Sequence, residues 1–310
     1  MGKGKVFGTC ALCGRKQIDL MDSHIIPKAV YRRSKTYQNS IFRSFYEPKK
    51  IFRDGEKKPM LCHECEEFFS KYEHNFSNQF LDKYLKNHSM DTLEITAKIN
   101  FYILTVAWRI IYDDLYVYHS FEGNSDKSIF EEYEYKLWKF LFEKYQEENP
   151  DAKVEGRISK ELQLEGNCLG VLIAKIEAYK RNNLPEDMSE VKNYIYTLKE
   201  LGYTEAVENL FSHMILGYSF NVSTRTKYYI ISMYNGLVIA TVYHRKKSIL
   251  ITDDKEMFRK ASIFEDVIKE DLIEEINYQI EQMKSKYPDV QKELDESGLR
   301  EKIAKRYNKK

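Results

Sequence analysis

The sequence predicts an α+β chain. A small N-terminal module of strand, bend, loop and helix sits on a mainly helical body that carries a small antiparallel β-sheet. Three observations predict it. Two Cys-x-x-Cys pairs, Cys10/Cys13 and Cys62/Cys65, bracket the first part. Apolar residues recur at helical spacing from Cys62 to Glu148. Two β-branched and aromatic runs, Tyr228–Tyr234 and Leu237–Tyr243, are joined by Asn235-Gly236, the pattern of a β-hairpin. The module is expected over residues 1–90 and the body over 91–310, with the sheet at about 216–252.

In chain order, Cys10-Ala11-Leu12-Cys13 opens the module, and Gln17–Met21 reads as a strand ending just before His24. Pro27 lacks a backbone donor and marks a bend or an edge. Residues 29–59 show no clean period and carry Asp54-Gly55 as a turn signal, so a long irregular loop is expected. From Cys62 the pattern is helical. Cys65, Phe68, Phe69, Tyr72, Phe76 and Phe80 follow i, i+3, i+4 steps, which starts a helix at the second Cys pair and runs it to about Lys86. A second helix over 92–119 is apolar almost all round, hence buried. A third spans about Ser128 to Glu148 and ends at Asn149-Pro150. Residues 151–166 are polar and mark a boundary. A short apolar segment (Cys168–Ile176) and helices around 187–201 and 204–214 are expected next. Tyr218–Val222 and Ser248–Thr252 would flank the hairpin as further strands. After Asp253-Asp254 a helix runs to about Tyr287, Pro288 breaks it, and a last charged helix follows.

Hydrophobic residues make up 43% of the chain, enough for a real core, while 31% are charged and the mean hydropathy is −0.58. These values predict a soluble chain. No apolar run approaches the ~18 residues a membrane helix needs. No apolar signal region follows Met1-Gly2-Lys3-Gly4-Lys5, and Val6 stands where a myristoylation motif wants Ser or Thr. A cytoplasmic location is expected, because metal binding accounts for four of the five cysteines better than disulfides do. Cys168 is left as a buried structural thiol. The net charge of +1 hides a polarity. Residues 1–60 hold 14 Lys+Arg against 5 Asp+Glu (+9), and the remainder holds 35 against 43 (−8). A basic first part suits a polyanion such as nucleic acid, with a merely solvated face as the ordinary alternative.

Each Cys-x-x-Cys pair can set two thiolates on one metal, and two pairs fill a tetrahedral shell. Such a shell is closed, so the expected Zn2+ is structural rather than catalytic. Arg32, Arg33, Lys35, Arg43, Lys49, Lys50 and Arg53 are candidate phosphate contacts without sequence preference. The aromatic residues between them are expected to fill the core of the loop.

A Cys-x-x-Cys, a His-Ile-Ile-Pro at a strand end and a second Cys-x-x-Cys opening a helix resemble the zinc-bearing HNH endonucleases, whose fold is the ββα-metal module. More narrowly, Ser23-His24-Ile25-Ile26-Pro27-Lys28 with Leu61-Cys62-His63-Glu64-Cys65-Glu66 and Ser70-Lys71-Tyr72-Glu73 is similar to a branch of bacterial HNH-like proteins, some suspected in phage defence. The resemblance covers about residues 8–75, with a weaker echo at Ala107-Trp108-Arg109. It implies a metal-dependent endonuclease of the bacterial cytoplasm that cuts phosphodiesters in DNA, with RNA as a second possibility. In the family a strand His deprotonates water. The residue before it and a His after the second Cys pair bind a divalent cation, and an Asn orients the base. Here His24 matches the base. Ser23 replaces the first ligand, Lys57 the Asn and Glu66 the helix His. The implied catalytic residues are His24 and Glu66. The implied cation, Mg2+ or Mn2+, would be held by Glu66 with Asp22 or Glu73 and water.

Each of these residues also has an ordinary role open to it. His24 can hydrogen-bond the loop backbone. Glu66 suits the positive end of a helix dipole. Glu73 can pair with a Lys of its own helix. The matching alternative for the whole chain is a non-catalytic zinc module that binds nucleic acid or protein. Residues 91–310 carry no recognisable catalytic constellation and are read as a sensor, a partner surface or an oligomerisation element.

Overall fold

The computed structural model describes residues 5–38, 42–44, 51–52, 55–87, 90, 93–156, 191–204, 207, 214–221, 227–244 and 254–286. The first part holds β1 (Val6–Gly8), β2 (Ile18–His24), α1 (Lys28–Gln38), β3 (Phe42–Ser44), β4 (Ile51–Phe52) and β5 (Lys57–Cys62). A helical run follows without a break: α2 (His63–Phe76), a π-helical turn (Ser77–Leu81) and α3 (Asp82–Asn87). Then come α4 (Ala97–Tyr116) and α5 (Lys127–Glu148). The last part holds β6 (Val191–Thr197), β7 (Met214–Asn221), β8 (Lys227–Tyr234), β9 (Leu237–His244) and α6 (Asp254–Lys286). The architecture is mixed α/β, as expected, with a four-cysteine cluster in the first part.

The strands form two sheets, ordered β1-β2-β5 and β4-β3-β7-β8-β9-β6. All pairings are antiparallel except β3 with β7. The hairpin read from the sequence is the middle of the larger sheet. Asn235 and Gly236 join β8 to β9 with φ of 56° and 77°, the left-handed pair that a type I′ turn requires. Every residue of β8 is buried, because both faces of the sheet are covered. Tyr228, Ile230, Tyr234, Ile239 and Tyr243 enter the core shared with α2, α4 and α5. Tyr229, Ile231, Met233, Val238 and Val242 alternate to the other face, where Ile268, Leu272 and Ile276 of α6 cover them. Lys227 and Tyr229 add polar ties to α6, both bonding Asp271 Oδ2 at 3.0 and 2.5 Å.

Two expectations are overturned. Residues 29–59 are not a structureless loop. They contain α1, β3 and β4. Helix α1 buries Val30, Tyr31 and Ser34. A serine on the inward face interrupts the apolar stripe, so the helical period is hidden in the sequence. Its hydroxyl donates to Val30 O at 2.9 Å, which satisfies it within the helix. The helix expected over 187–201 is instead β6. Its run of Val191, Tyr194, Ile195 and Tyr196 suits a strand, and pairing with β9 sets Ile195 opposite Ile239. β6 takes the place beside β9 expected for Ser248–Thr252, which lies outside the described residues, as do Cys168–Ile176 and the last charged helix.

The other helices fall close to expectation. Thr96 caps α4 by accepting from Ile99 N. The long helix after Cys62 is punctuated by the π turn, through which Phe76, Phe80 and Leu81 stay buried. One core runs across residue 90, from Cys10 to Tyr243. The tip of the β8–β9 hairpin enters the first part of the chain. There the Ser34 hydroxyl meets the Asn235 side-chain amide, and Tyr84 OH donates to Asn235 O at 3.2 Å. Among the described residues, no helix is long and apolar enough to cross a membrane.

Candidate metal centre

Cys10 and Cys13 lie in the turn between β1 and β2. Cys62 ends β5, and Cys65 lies in the first turn of α2. All four are buried, none is in a disulfide, and their sulfurs lie within 4.8 Å of one another. Cys13 Sγ and Cys62 Sγ are 3.8 Å apart. Four thiolates at about 2.3 Å from one Zn2+ stand about 3.8 Å apart in a tetrahedron. The sulfurs therefore fit a closed shell for a metal such as zinc. As bare thiols they share protons unequally. Hydrogen bonding from Cys10 pushes Cys13 and Cys62 down, Cys62 to about 5, while Cys10 and Cys65 rise in return.

The first knuckle is bolted to its surroundings through the backbone. Ala11 N donates to Met60 O, and Gly14 N to Cys10 O at 3.0 Å. Glu155 N and Gly156 N both donate to Cys13 O at 2.9 Å, and Trp138 Nε1 donates to Leu12 O. Gly14 has φ of 75°, and a Cβ there would stand 2.2 Å from Gly156 O. Only glycine satisfies both the backbone angle and that approach.

Strand β2 lies antiparallel to β5, which passes directly into α2. His24 is the last residue of β2, opposite Lys57, half-buried, with its Nε2 out of reach of solvent. Ser23 is fully buried. Its Oγ accepts from Leu61 N at 3.3 Å and so joins the two strands beside the bulge at Met21/Asp22. Asp22 is exposed.

Glu66 and Glu73, both on α2, close on a cation that the sequence reading named only in the weaker echo of the resemblance and gave no role. Arg109 of α4 is only 1% exposed and lies over the Phe69 ring, 5.1 Å from its centroid. Its Nη1 is 2.9 Å from Glu73 Oε1, and its Nη2 is 3.7 Å from Glu66 Oε2. The first contact is a charge-assisted hydrogen bond; the second is only an ion contact. Burial pulls the guanidinium down, but Glu73 and Glu66 more than offset it and hold it above the ordinary arginine value. Glu66 Oε1 is buried and accepts no hydrogen bond. Glu73 thus pairs with α4 rather than with a lysine of its own helix. Among the described residues, the four cysteines are the one group of three or more His, Cys, Asp or Glu close enough to hold a metal.

The basic candidates divide. Arg33 is locked onto the helices after α2, its Nε 2.6 Å from Asp82 and its Nη2 donating to Asn78. Arg32 is exposed on α1, and Lys35 is half-buried. Arg43 lies in β3; Lys49, Lys50 and Arg53 fall outside the described residues. Two residues that touch these side chains, Arg109 against Glu73 and Arg15 against Cys62, were given no role in the sequence reading, and each left a signal. Arg109 was a charge inside a helix apolar all round. Arg15 was a cation two positions beyond a metal-type cysteine. No protein-family model, no curated protein and no solved structure matches this chain.

Proposed function

We propose that the chain is a metal-dependent endonuclease of HNH type that hydrolyses phosphodiester bonds in DNA. Glu66 carries this reading. One of its oxygens is buried without a donor, and the other makes only a 3.7 Å contact. A buried acceptor left unmet costs about 1–3 kcal/mol, and a hard cation is the partner that suits a carboxylate oxygen. Glu66 also follows Cys65 directly, where the HNH resemblance sets its second metal ligand. The order of β2, β5 and α2, with His24 closing β2, supports the same reading.

In this reading His24 takes the proton from the attacking water. Glu66, aided by water and Asp22, would hold Mg2+ or Mn2+, which supplies charge stabilisation at the scissile phosphate. Glu73 leaves the ligand set and acts as a positioning residue, fixing Arg109 against Glu66. Ser23 joins strands and is no ligand. Arg32 is the exposed phosphate contact on α1, whereas Arg33 serves Asp82.

The test is nicking of supercoiled plasmid by zinc-loaded protein in Mg2+ or Mn2+. Wild type is expected to nick, and His24→Ala and Glu66→Gln to lose about 100-fold or more. Folded wild-type protein that binds DNA in a salt-dependent way but never nicks it overturns the nuclease and leaves a non-catalytic zinc module.

A further inference from the structure

Four thiolates around one Zn2+ would carry a net charge of −2, and the four cysteines here are buried. A buried charge needs donors aimed at it. The backbone supplies one, Cys62 N to Cys10 Sγ at 3.3 Å. A side chain supplies two more. Arg15 Nη2 donates to Cys62 Sγ at 3.0 Å and Arg15 Nε to Cys13 Sγ at 3.4 Å. One guanidinium thus spans both Cys pairs, with one sulfur taken from each. Its backbone is fixed too, because Arg15 O accepts from Cys10 N at 2.9 Å. From outside, Glu64 grips the same guanidinium through two contacts, Nη1–Oε1 at 3.2 Å and Nη2–Oε2 at 2.6 Å. Glu64 lies between Cys62 and Cys65, so the second pair carries the residue that aims the first pair's arginine.

We infer that Arg15, oriented by Glu64, is a positioning residue that sets how tightly Cys13 and Cys62 hold the metal. Its N–H groups offset thiolate charge at the half-exposed edge of the buried cluster, and its planar fork serves two sulfurs and one carboxylate at once. A lysine would bring the charge without the fork. The inference is independent of whether the chain cuts DNA, because it concerns retention of zinc alone.

The experiment follows zinc transfer from purified full-length protein to a colorimetric chelator. Wild type is compared with Arg15→Ala, Arg15→Lys and Glu64→Gln, with folding in excess zinc checked by circular dichroism. Outer-shell changes of this kind typically weaken metal binding 10–100-fold. Arg15→Ala is expected at about that loss, Arg15→Lys at a smaller one, and Glu64→Gln between wild type and Arg15→Ala. Wild-type affinity in Arg15→Ala overturns the inference. Should Arg15→Ala fail to fold even with zinc, Arg15→Lys decides. A clear loss of affinity there supports the forked bridge, and wild-type affinity overturns it.

Discussion

Helix α2 is held at two places, and the two holds differ in what they require. At its start, Cys62 and Cys65 meet Cys10 and Cys13 in a cluster of four sulfurs. Further along the same helix, Glu66 and Glu73 close on Arg109. The sulfur hold is a set of four buried thiols that could close on a metal such as zinc, which the chain does not encode. The ion-pair hold is made wholly from the chain's own charges. With zinc as its partner the first is conditional on metal supply, and the second persists without it.

The largest effect that sharpens this contrast is metal removal. Chelation, or Cys65→Ser, is expected to lower the stability of the first part on the order of 10 kcal/mol. Urea unfolding with and without chelator, alongside elemental analysis of zinc, measures it. An unchanged midpoint would mean the sulfurs are ordinary buried thiols. Next comes Arg109→Ala, expected to cost about 3–5 kcal/mol because it strands two acids against a core. Arg109→Met with Glu73→Gln should recover a good part of that loss, since the pair is removed together.

A third expectation concerns Asp113, one turn along α4 from Arg109 and only 4% exposed. Burial pushes its carboxyl up to about 7. The folded chain then keeps a proton that the unfolded chain releases near pH 4, so stability falls as pH rises from about 4 to 7. Asp113→Asn should flatten that slope and gain on the order of 2–4 kcal/mol above pH 7. Denaturant titrations across pH 4–8 decide it. Smaller again is Gly14→Ala, expected to cost about 1–3 kcal/mol through a forced left-handed backbone, with zinc uptake weakened in parallel. The smallest effect is Arg32→Glu, which should leave stability unchanged and reduce the salt dependence of DNA binding by about one charge.

Particular residues show why some of this was legible in the sequence and some was not. The cysteines were readable because a spacing of three positions is itself the chemistry of a shared metal. The β8–β9 hairpin was readable because Asn235-Gly236 accepts a backbone that few other pairs tolerate. Helix α1 was not, since its inward face includes Ser34, whose value shows only once Asn235 arrives from 201 positions away. β6 was not, because its strand character is completed by β9. Glu73 was given a role among cations, while its partner stands 36 positions on, in another helix. Local rules find residues whose partners are near in sequence. They miss those whose meaning comes from packing.

The buried turn at Asn235 has a practical consequence for dissecting the polypeptide. A fragment ending at residue 90 would carry Ser34 and Tyr84 with nothing to grip, and the complementary fragment would expose a bare hairpin tip. The two halves should behave as obligate companions, soluble when co-expressed and prone to aggregate when made apart.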